Sequence, residues 1–413
     1  MRKRLLRIAS VICLISPVMV SSLPASAQNI APDYQKYLAT YVRLTNEEYS
    51  MTLSESSSLD EETPTREVPQ ASQLIADFID SGIHVLNAEA TAEYISDTDL
   101  ENNNISVTAS INTTVIWSLS ANPYESYEAA NQITSVFSDL HKITFDVNPF
   151  TRQSNDITIA QDLIIDPESG NILDDGHTAY SMTNVLNDIP RYSTYEQAST
   201  SFITDKTNNT DPTSKTSKLT MNYSTFVHYL NTWTSKPYDG DEKEDFNPDF
   251  PYFTNNCTNF GSQALYAAGL PLVGGSWLDR QNPEIWTWNL SGMIPIDGYD
   301  SSWSWSNADS NYQHLSKYTP YSQKYNDMYM PPQAGLIYAE WDADPQLDHL
   351  MLVNDTIVIQ NSDGSYSPMP LISQKTPNRN MVPFSVQQRR AEKQHDHVTW
   401  KGLGPDYTKM EYV

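Results

Sequence analysis

The spacing of apolar residues predicts helices near the start of the chain. Residues 34–42 carry apolar side chains three and four positions apart, which predicts an opening helix. The same spacing returns over residues 71–88 and predicts a second helix. Residues 53–69 between them are rich in Ser, Thr, Asp and Glu without periodic apolar positions, so we expect an exposed loop there.

Further along, the apolar period changes to that of strands. Residues 105–111 alternate strictly between apolar and polar side chains, and residues 114–119 are rich in β-branched and aromatic ones. Residues 143–147 and 157–159 have the same character. Helices followed by strands that pair antiparallel predict a small α+β domain over residues 28–189. No catalytic motif is found in this range, so the sequence assigns it no role.

Composition divides the rest of the chain. Residues 190–218 are dominated by Ser, Thr, Asn and Asp, which predicts a polar linker. Eight of the nine tryptophans lie between Trp233 and Trp400. We therefore expect a second, aromatic-rich domain over residues 219–402, followed by a C-terminal tail of residues 403–413.

Within this second domain, residues 276–325 are rich in Trp, Tyr, Asn and Ser and have no clear period. Such a segment fits the aromatic lining of a carbohydrate- or peptide-binding cleft. It fits equally well a layer of loops packed over the core. The sequence leaves both interpretations open.

A cysteine stands at the predicted start of a helix in the same domain. Asn255 or Asn256 can serve as N-cap, and apolar residues then recur at helical spacing over residues 257–268. Gly269 and the proline two positions beyond it mark the end of the helix. A thiol in the first turn, such as that of Cys257, lies near the positive end of the helix dipole, which favours the nucleophilic thiolate.

The N-terminus predicts export and thereby changes the interpretation of this cysteine. A basic start, a short apolar stretch over residues 8–20 and the small residues of 25–27 are typical of a signal peptide over residues 1–27. Removal of that leader takes Cys13 away and leaves Cys257 as the single cysteine of a secreted chain. An unpaired thiol outside the cell suggests a reactive group. A small buried apolar residue is the alternative.

Charge excludes one class of partner. The whole chain has a formal net charge of −26, and loss of four basic residues with the leader takes it to −30. Such a chain repels nucleic acid, so we do not expect nucleic-acid binding. No segment after the leader is long and apolar enough to predict a transmembrane helix.

A cysteine nucleophile needs a base, and His349 is the strongest candidate. It stands at the entrance of a predicted strand over residues 347–353, which follows a predicted partner strand over residues 335–339. A structural histidine at a strand end remains the alternative. The other histidines of this domain are His228, His314, His395 and His397. The last two form only a weak metal-ligand pair, so no metal or cofactor is predicted.

These residues resemble a known family. The segment N-N-C-T-N-F-G-S-Q over residues 255–263 is similar to the N-D-C-T-N-F-V-S-Q signature of the putative amidase domain family of bacterial cysteine hydrolases. Residues 247–253 resemble the N-P-x-Y/F segment that precedes it, and residues 335–349 resemble its G-D-x-I-x-Y … D-H strand pair. Residues 371–379 resemble its closing S-Q-H-T segment. The resemblance covers residues 219–402 and implies a papain-like α+β fold.

The resemblance also implies roles. Cys257 would be the nucleophile and His349 the general base, while the Cys257 N–H with Asn255 or Asn256 would bind the oxyanion. Four positions depart from the family pattern: Asn256 replaces Asp, Gly261 replaces Val, Leu336 replaces Asp and Lys375 replaces His. The role of that last histidine would then fall to Ser373 or Asn378, or it would be missing. We select Asn378 as the catalytic candidate.

We therefore predict a secreted cysteine hydrolase, an amidase or peptidase, that cleaves an amide bond, with the cell wall as its candidate location. A peptide or peptidoglycan is the expected substrate, because an exported bacterial amidase meets the wall first. The alternative is a wall-associated binding or structural protein that keeps the papain-like fold but has weakened catalysis. The replacement of the family histidine by Lys375 motivates this alternative.

Overall fold

The computed structural model describes residues 34–55, 68–99, 104–118, 132–147, 157–166, 170–175, 185, 188–207, 218–236, 245–292, 300–341, 343–361 and 363–413. The predicted signal peptide lies outside the described residues. The same holds for most of the predicted loop at 53–69 and for the Thr- and Asn-rich end of the predicted linker. None of the described helices has the length and apolarity needed to cross a membrane.

The described residues form a mixed α and β structure in which most strand pairs are antiparallel. The helices are α1 (Tyr34–Glu55), α2 (Pro69–Asp80), α3 (Tyr195–Thr207), α4 (Tyr223–Thr234), α5 (Cys257–Ala267), α6 (Trp303–Ser306), α7 (Ala308–Tyr318) and α8 (Phe384–Gln394). The strands are β1 (His84–Asp99), β2 (Asn104–Ser118), β3 (Gln132–Val147), β4 (Ile157–Ile165), β5 (Ile172–Asp174), β6 (Leu219–Met221), β7 (Gln323–Tyr325), β8 (Leu336–Glu340), β9 (His349–Gln360), β10 (Tyr366–Gln374), β11 (Asn378–Pro383), β12 (Thr399–Gly404) and β13 (Met410–Tyr412).

One large sheet runs through both halves of the chain, in the order β1-β2-β3-β11-β10-β9-β8-β12-β7. Strand β3 is the junction. Its full length pairs with β2 on one edge, while its second half pairs with β4 and its first half with β11 on the other. At this junction Asn378 is opposite Ser138 and Asn380 is opposite Val136. The two predicted domains thus share hydrogen-bonded strands.

Strands β8 and β9 are covered on both faces, and this fixes the position of the cysteine helix. Leu350 and Leu352 face the core formed with α4 and α5, whereas Met351 and Val353 face the core that extends into the N-terminal half. Helix α5 lies directly on β9. A Cβ built at Gly261 would come within 2.5 Å of Leu350 Cδ2. The glycine that replaces the family valine therefore permits this close approach.

The second predicted helix ends earlier than its apolar spacing suggests. Helix α2 stops at Asp80, and the predicted continuation to residue 88 is wrong because β1 begins at His84. Gly82, with a φ of 77°, supplies the left-handed turn that ends the helix. The Ile83 N–H bonds the Phe78 carbonyl oxygen at 3.1 Å across this turn. The opening helix is confirmed as α1.

Other predicted segments contain more regular structure than expected. Residues 105–119 were divided into two predicted strands, but their described part belongs to the single long strand β2. The predicted linker contains α3, and the predicted tail contains β13, which pairs with β6. Residues 276–325 include α6 and α7, and the Asn307 side chain caps α7 by accepting from the Ser310 N–H at 3.0 Å.

Candidate active site

Cys257 is the first residue of α5, as the sequence predicts, with Asn256 at the N-cap position. Its side chain is 2% exposed. The helix ends at Ala267, and Gly269 just beyond it forms the predicted stop, with a φ of 110° and an N–H bond to the Tyr266 carbonyl oxygen. The first-turn N–H groups of a helix have no acceptor within the helix. The thiol therefore lies at the positive end of the helix dipole.

The thiol is surrounded by polar groups. Cys257 Sγ lies 3.3 Å from Asn255 Oδ1, 3.6 Å from Thr258 Oγ1 and 4.0 Å from the Asp348 carbonyl oxygen. Asp348 directly precedes the candidate base, so β9 begins beside the thiol. Asn255 is exposed and its amide adjoins the sulfur. The sulfur meets the amide oxygen, which accepts from the thiol, whereas an oxyanion needs the amide NH₂ group as donor. The oxyanion role of Asn255 therefore stays a prediction.

Asn256, the other predicted oxyanion residue, faces a different region. Its Oδ1 accepts from Asn259 Nδ2 at 2.6 Å, and Asn259 Oδ1 accepts from Trp305 Nε1 at 2.6 Å. Its backbone N–H donates to Thr376 Oγ1 at 3.1 Å. The Asn256 side chain makes no capping hydrogen bond. These contacts fix the loop before the cysteine and connect it to the turn after β10.

His349, the candidate base, is the first residue of β9 and is 5% exposed. The Trp341 ring lies beside it, with ring centroids 5.7 Å apart. Burial lowers the pKa of His349 to about 4, although the neighbouring Gln374 side chain opposes this shift. Neither His349 Nε2 nor Gln374 Oε1 has a partner of normal hydrogen-bond geometry among the described residues. The imidazole is therefore neutral at pH 7, with an unused ring nitrogen.

The lowered pKa of His349 predicts an acid-dependent loss of stability. Between pH 4 and the ordinary value of 6.5 the folded protein binds fewer protons at this ring than the unfolded chain, so stability falls as pH falls. Over that window we expect the loss to reach about 3 kcal/mol. Denaturant unfolding at pH 7 and pH 4 should show a smaller acid loss for His349→Gln. The exposed His228→Gln variant should keep the loss of the natural chain, and equal losses in all three would contradict this prediction.

Asn378, the predicted third catalytic residue, uses its side-chain NH₂ elsewhere. It donates to the carbonyl oxygens of Thr234 at 3.0 Å and Lys236 at 3.3 Å, at the end of α4. These contacts do not involve the imidazole, so its catalytic role stays a prediction. Ser373 is fully buried and accepts from the Met381 N–H at 3.3 Å. Neither alternative for the third role has a described contact with His349.

Gln374 is the polar residue beside the imidazole, and the sequence interpretation did not select it. Its Nε2 donates to the Pro377 carbonyl oxygen at 3.2 Å. Gln374 is the last residue of β10, and it is fully buried. A signal was present, because Gln374 occupies the Gln position of the segment that resembles S-Q-H-T. Because Lys375 replaces the family histidine at the next position, the sequence pointed to Ser373 and Asn378 instead.

Most of the predicted site residues line one cavity of about 870 Å³. Cys257, His349 and Asn255 are part of its lining, as are Lys375 and Asn378. Asn256 is not part of the lining. A volume of this size is within the range that holds small ligands. The structure thus brings the thiol, the imidazole and one predicted oxyanion residue to a common space.

The N-terminal half also contributes to this cavity. Ser138, Asp139 and Leu140 of β3 are part of the lining, together with Asp166 after β4. The pairing of β3 with β11 brings these residues to the cavity. The sequence interpretation assigned residues 28–189 no role, because this pairing joins positions about 240 residues apart.

Comparison with known proteins identifies the segment that carries the cysteine. Residues 220–398 match the family model of a putative amidase domain. The matched segment contains both Cys257 and His349. The predicted resemblance over residues 219–402 is thereby confirmed. No curated protein and no solved structure matches the chain.

The amidase domain is joined to the N-terminal half by buried charges. The Asp139 carboxylate accepts from Arg379 Nη2 and, at 3.0 Å, from Arg390 Nη2. All three residues are less than 10% exposed. Burial alone would raise the pKa of Asp139, but the two guanidinium groups lower it to about 2. On helix α8, Lys393 forms a further buried pair with Asp174 at 2.9 Å.

The remaining histidines of the amidase domain have separate contacts. His395 stacks on the Trp341 ring with centroids 4.4 Å apart, whereas His397 Nε2 lies 3.2 Å from Glu340 Oε2. His314 is buried and its Nδ1 lies 2.7 Å from the Pro283 carbonyl oxygen. Within the described part of the chain, no three His, Cys, Asp or Glu side chains are grouped as metal ligands.

Proposed function

We propose that this protein is a cysteine hydrolase that cleaves an amide bond, with Cys257 as nucleophile and His349 as general base. One observation carries the proposal. In a domain of the amidase family, the thiol at the start of α5 and a buried imidazole with an unused nitrogen line the same cavity. The imidazole is neutral at pH 7 and can accept a proton there, and its lowered pKa makes it a weaker base than an ordinary histidine.

The reaction would proceed in two stages. His349 takes the thiol proton as the sulfur attacks the carbonyl carbon, and the resulting oxyanion is bound by the Cys257 N–H and the Asn255 side-chain amide. The imidazolium then gives that proton to the leaving amine, which leaves a thioester on Cys257. His349 next takes a proton from water as it attacks the thioester. Collapse of this second intermediate releases the acid and returns the proton to the thiolate.

Positioning of the imidazole falls in this proposal to Gln374 and Trp341. Gln374 raises the pKa of His349 from within the core, and an amide oxygen in this position stabilises the imidazolium that forms during acyl transfer. The Trp341 ring restricts the orientation of the imidazole from the side. Gln374 would thus serve in the role for which the sequence suggested Asn378.

The setting of the reaction is also part of the proposal. The mixed α and β structure, with a cysteine helix packed on an antiparallel sheet, is consistent with a papain-like domain. The signal-peptide pattern over residues 1–27 supports export. An exported amidase would act on peptides or on the peptide part of peptidoglycan. These elements are inferences from the sequence and from the family.

A binding or structural protein is the second candidate. It is favoured by the contacts of the His349 ring, which has no hydrogen-bonded carboxylate or asparagine partner among the described residues. Cysteine hydrolases ordinarily orient the base with such a third group. In this reading the cavity would hold a peptide without cleaving it.

Amine release separates the two candidates. The chain without its leader is incubated with purified peptidoglycan and with a panel of peptide amides, and new amino groups are measured. We expect release by the natural chain and a loss of about 10³-fold or more for Cys257→Ala. The conservative Thr258→Ser variant, next to the thiol, should keep most of the activity. Equal background release by the natural chain and Cys257→Ala on every substrate favours the binding protein.

A further inference from the structure

Lys375 is a buried cation on the wall of the cysteine cavity. It is 3% exposed and lines the same space as Cys257 and His349. The sequence interpretation treated it only as a departure from the family histidine. Its backbone position is close to both catalytic candidates, because Gln374 precedes it beside the imidazole and Thr376 follows it against the Asn256 N–H.

The contacts of the ammonium leave hydrogen-bonding capacity unused. Nζ donates to the Asp245 carbonyl oxygen at 3.0 Å and lies 4.9 Å from the centre of the Phe246 ring. An ammonium group has three N–H donors. Among the described residues, no carboxylate lies within ion-pair distance of Nζ, and Asp245 acts on it through its charge from farther away. A buried cation with unused donors is costly unless an anion joins it.

The cavity offers such an anion a place near the thiol. Other charged groups of the lining are Arg280, Asp139, Asp166 and Asp348. Asp139 is neutralised by Arg379 and Arg390, and Asp348 Oδ2 accepts from the Trp341 N–H at 2.8 Å. In a chain of net charge −26, a buried lysine in the lining of the cavity that contains Cys257 is a specific feature.

We propose that Lys375 forms a carboxylate-binding subsite, so that the preferred substrate carries a free carboxylate close to the scissile amide. This inference rests on the proposed function for the identity of the ligand as a substrate. The cation would bind the carboxylate through its unused N–H donors and hold the amide carbonyl near Cys257. A charge-assisted hydrogen bond of this kind is about twice as strong as one between neutral groups.

A pair of alkylating reagents tests the subsite without any known substrate. Iodoacetate carries a carboxylate next to its reacting carbon, and iodoacetamide is the matched neutral reagent. Both reagents modify the same thiolate. The rate with iodoacetate divided by the rate with iodoacetamide, here called the reagent ratio, is therefore independent of the fraction of Cys257 that is ionised. We expect the reagent ratio to fall about tenfold in Lys375→Met, because the cation that attracts iodoacetate to the thiol is lost. Lys375→Arg should keep a ratio close to that of the natural chain.

Controls separate this effect from misfolding and from general charge. Lys401→Met removes an exposed lysine and should leave the ratio unchanged, whereas Arg280→Met tests the other cation of the lining. A fall of the ratio in Arg280→Met but not in Lys375→Met would overturn the proposal. An equal ratio in the natural chain and Lys375→Met would also overturn it.

The natural chain alone provides a second test. Burial lowers the pKa of Lys375 to about 8, although Asp245 opposes the shift. The ratio should therefore be high at pH 7 and fall as Lys375 loses its charge towards pH 9.5. Carboxyl and guanidinium groups with ordinary pKa values keep their charges over this window. A ratio that is flat across it contradicts the subsite. Because alkylation requires no hydrolysis, a failure here is distinguishable from a failure of the proposed function.

Discussion

Replacement of His349 by alanine is expected to lower Cys257-dependent amide hydrolysis by about 10²- to 10⁴-fold. The thiol of Cys257 is buried and lies near carbonyl oxygens, so it loses its proton readily only if a neighbouring base accepts it. His349 is the imidazole that lines its cavity, together with His395. Initial rates on any substrate that the natural chain cleaves provide the measurement.

Two control variants define the specificity of this effect. His395→Ala removes the other imidazole of the cavity, which stacks on the Trp341 ring. This variant should lose much less activity than His349→Ala. His228→Ala removes an exposed histidine of α4 and should have no effect. If His395→Ala costs as much as His349→Ala while both variants stay folded, the assignment of the base is wrong.

Replacement of Asp139 by asparagine is expected to lower the free energy of unfolding by about 3–5 kcal/mol. The change leaves Arg379 and Arg390 buried without their shared counter-charge. Because Asp139 lies on β3 and both arginines lie in the amidase domain, the loss should weaken the contact between the two halves of the chain. Denaturant unfolding at pH 7 measures the change.

An exposed ion pair provides the matched control for this substitution. Asp363 and Arg191 are 3.2 Å apart with both side chains at least one-third exposed. Water screens such a pair, so Asp363→Asn should change stability by less than about 1 kcal/mol. A similar small change for Asp139→Asn would mean that the buried charges do not hold the two halves together.

The local features of the site could be predicted from the sequence, because they depend on residues close together in the chain. The course and the end of α5 follow from the apolar spacing after Cys257 and the left-handed Gly269, whereas the Asn256 side chain at the N-cap position makes no capping hydrogen bond. The position of His349 at the entrance of a strand follows from the apolar run after it. These signals lie within windows of about ten residues.

Features that depend on distant pairing could not be predicted. The contact of β3 with β11 brings Ser138 and Asp139 to the cavity, and no local period reports it. The switch from helix to strand after Asp80 was missed because residues 83–88 satisfy both apolar patterns. The proximity of Gln374 to His349 could not be predicted for a similar reason. Which residue of the segment 373–378 faces the ring depends on the register of β10 against β9.

The pH dependence of alkylation shows whether His349 activates the thiol of Cys257. The rate of iodoacetamide reaction at Cys257 is measured between pH 5 and pH 9.5 by mass spectrometry of the peptide that contains it. The natural chain and His349→Gln are compared, with Cys257→Ala to show that no other site is labelled.

Cys257 of the natural chain should react well below the ordinary thiol pKa of about 8.5, because the neutral imidazole takes the proton as the sulfur attacks. In His349→Gln the rise in rate should move up towards that ordinary value. A single rise in the alkylation rate at a pH of about 8.5 in both proteins would contradict activation by His349, because Cys257 would then behave as an ordinary thiol.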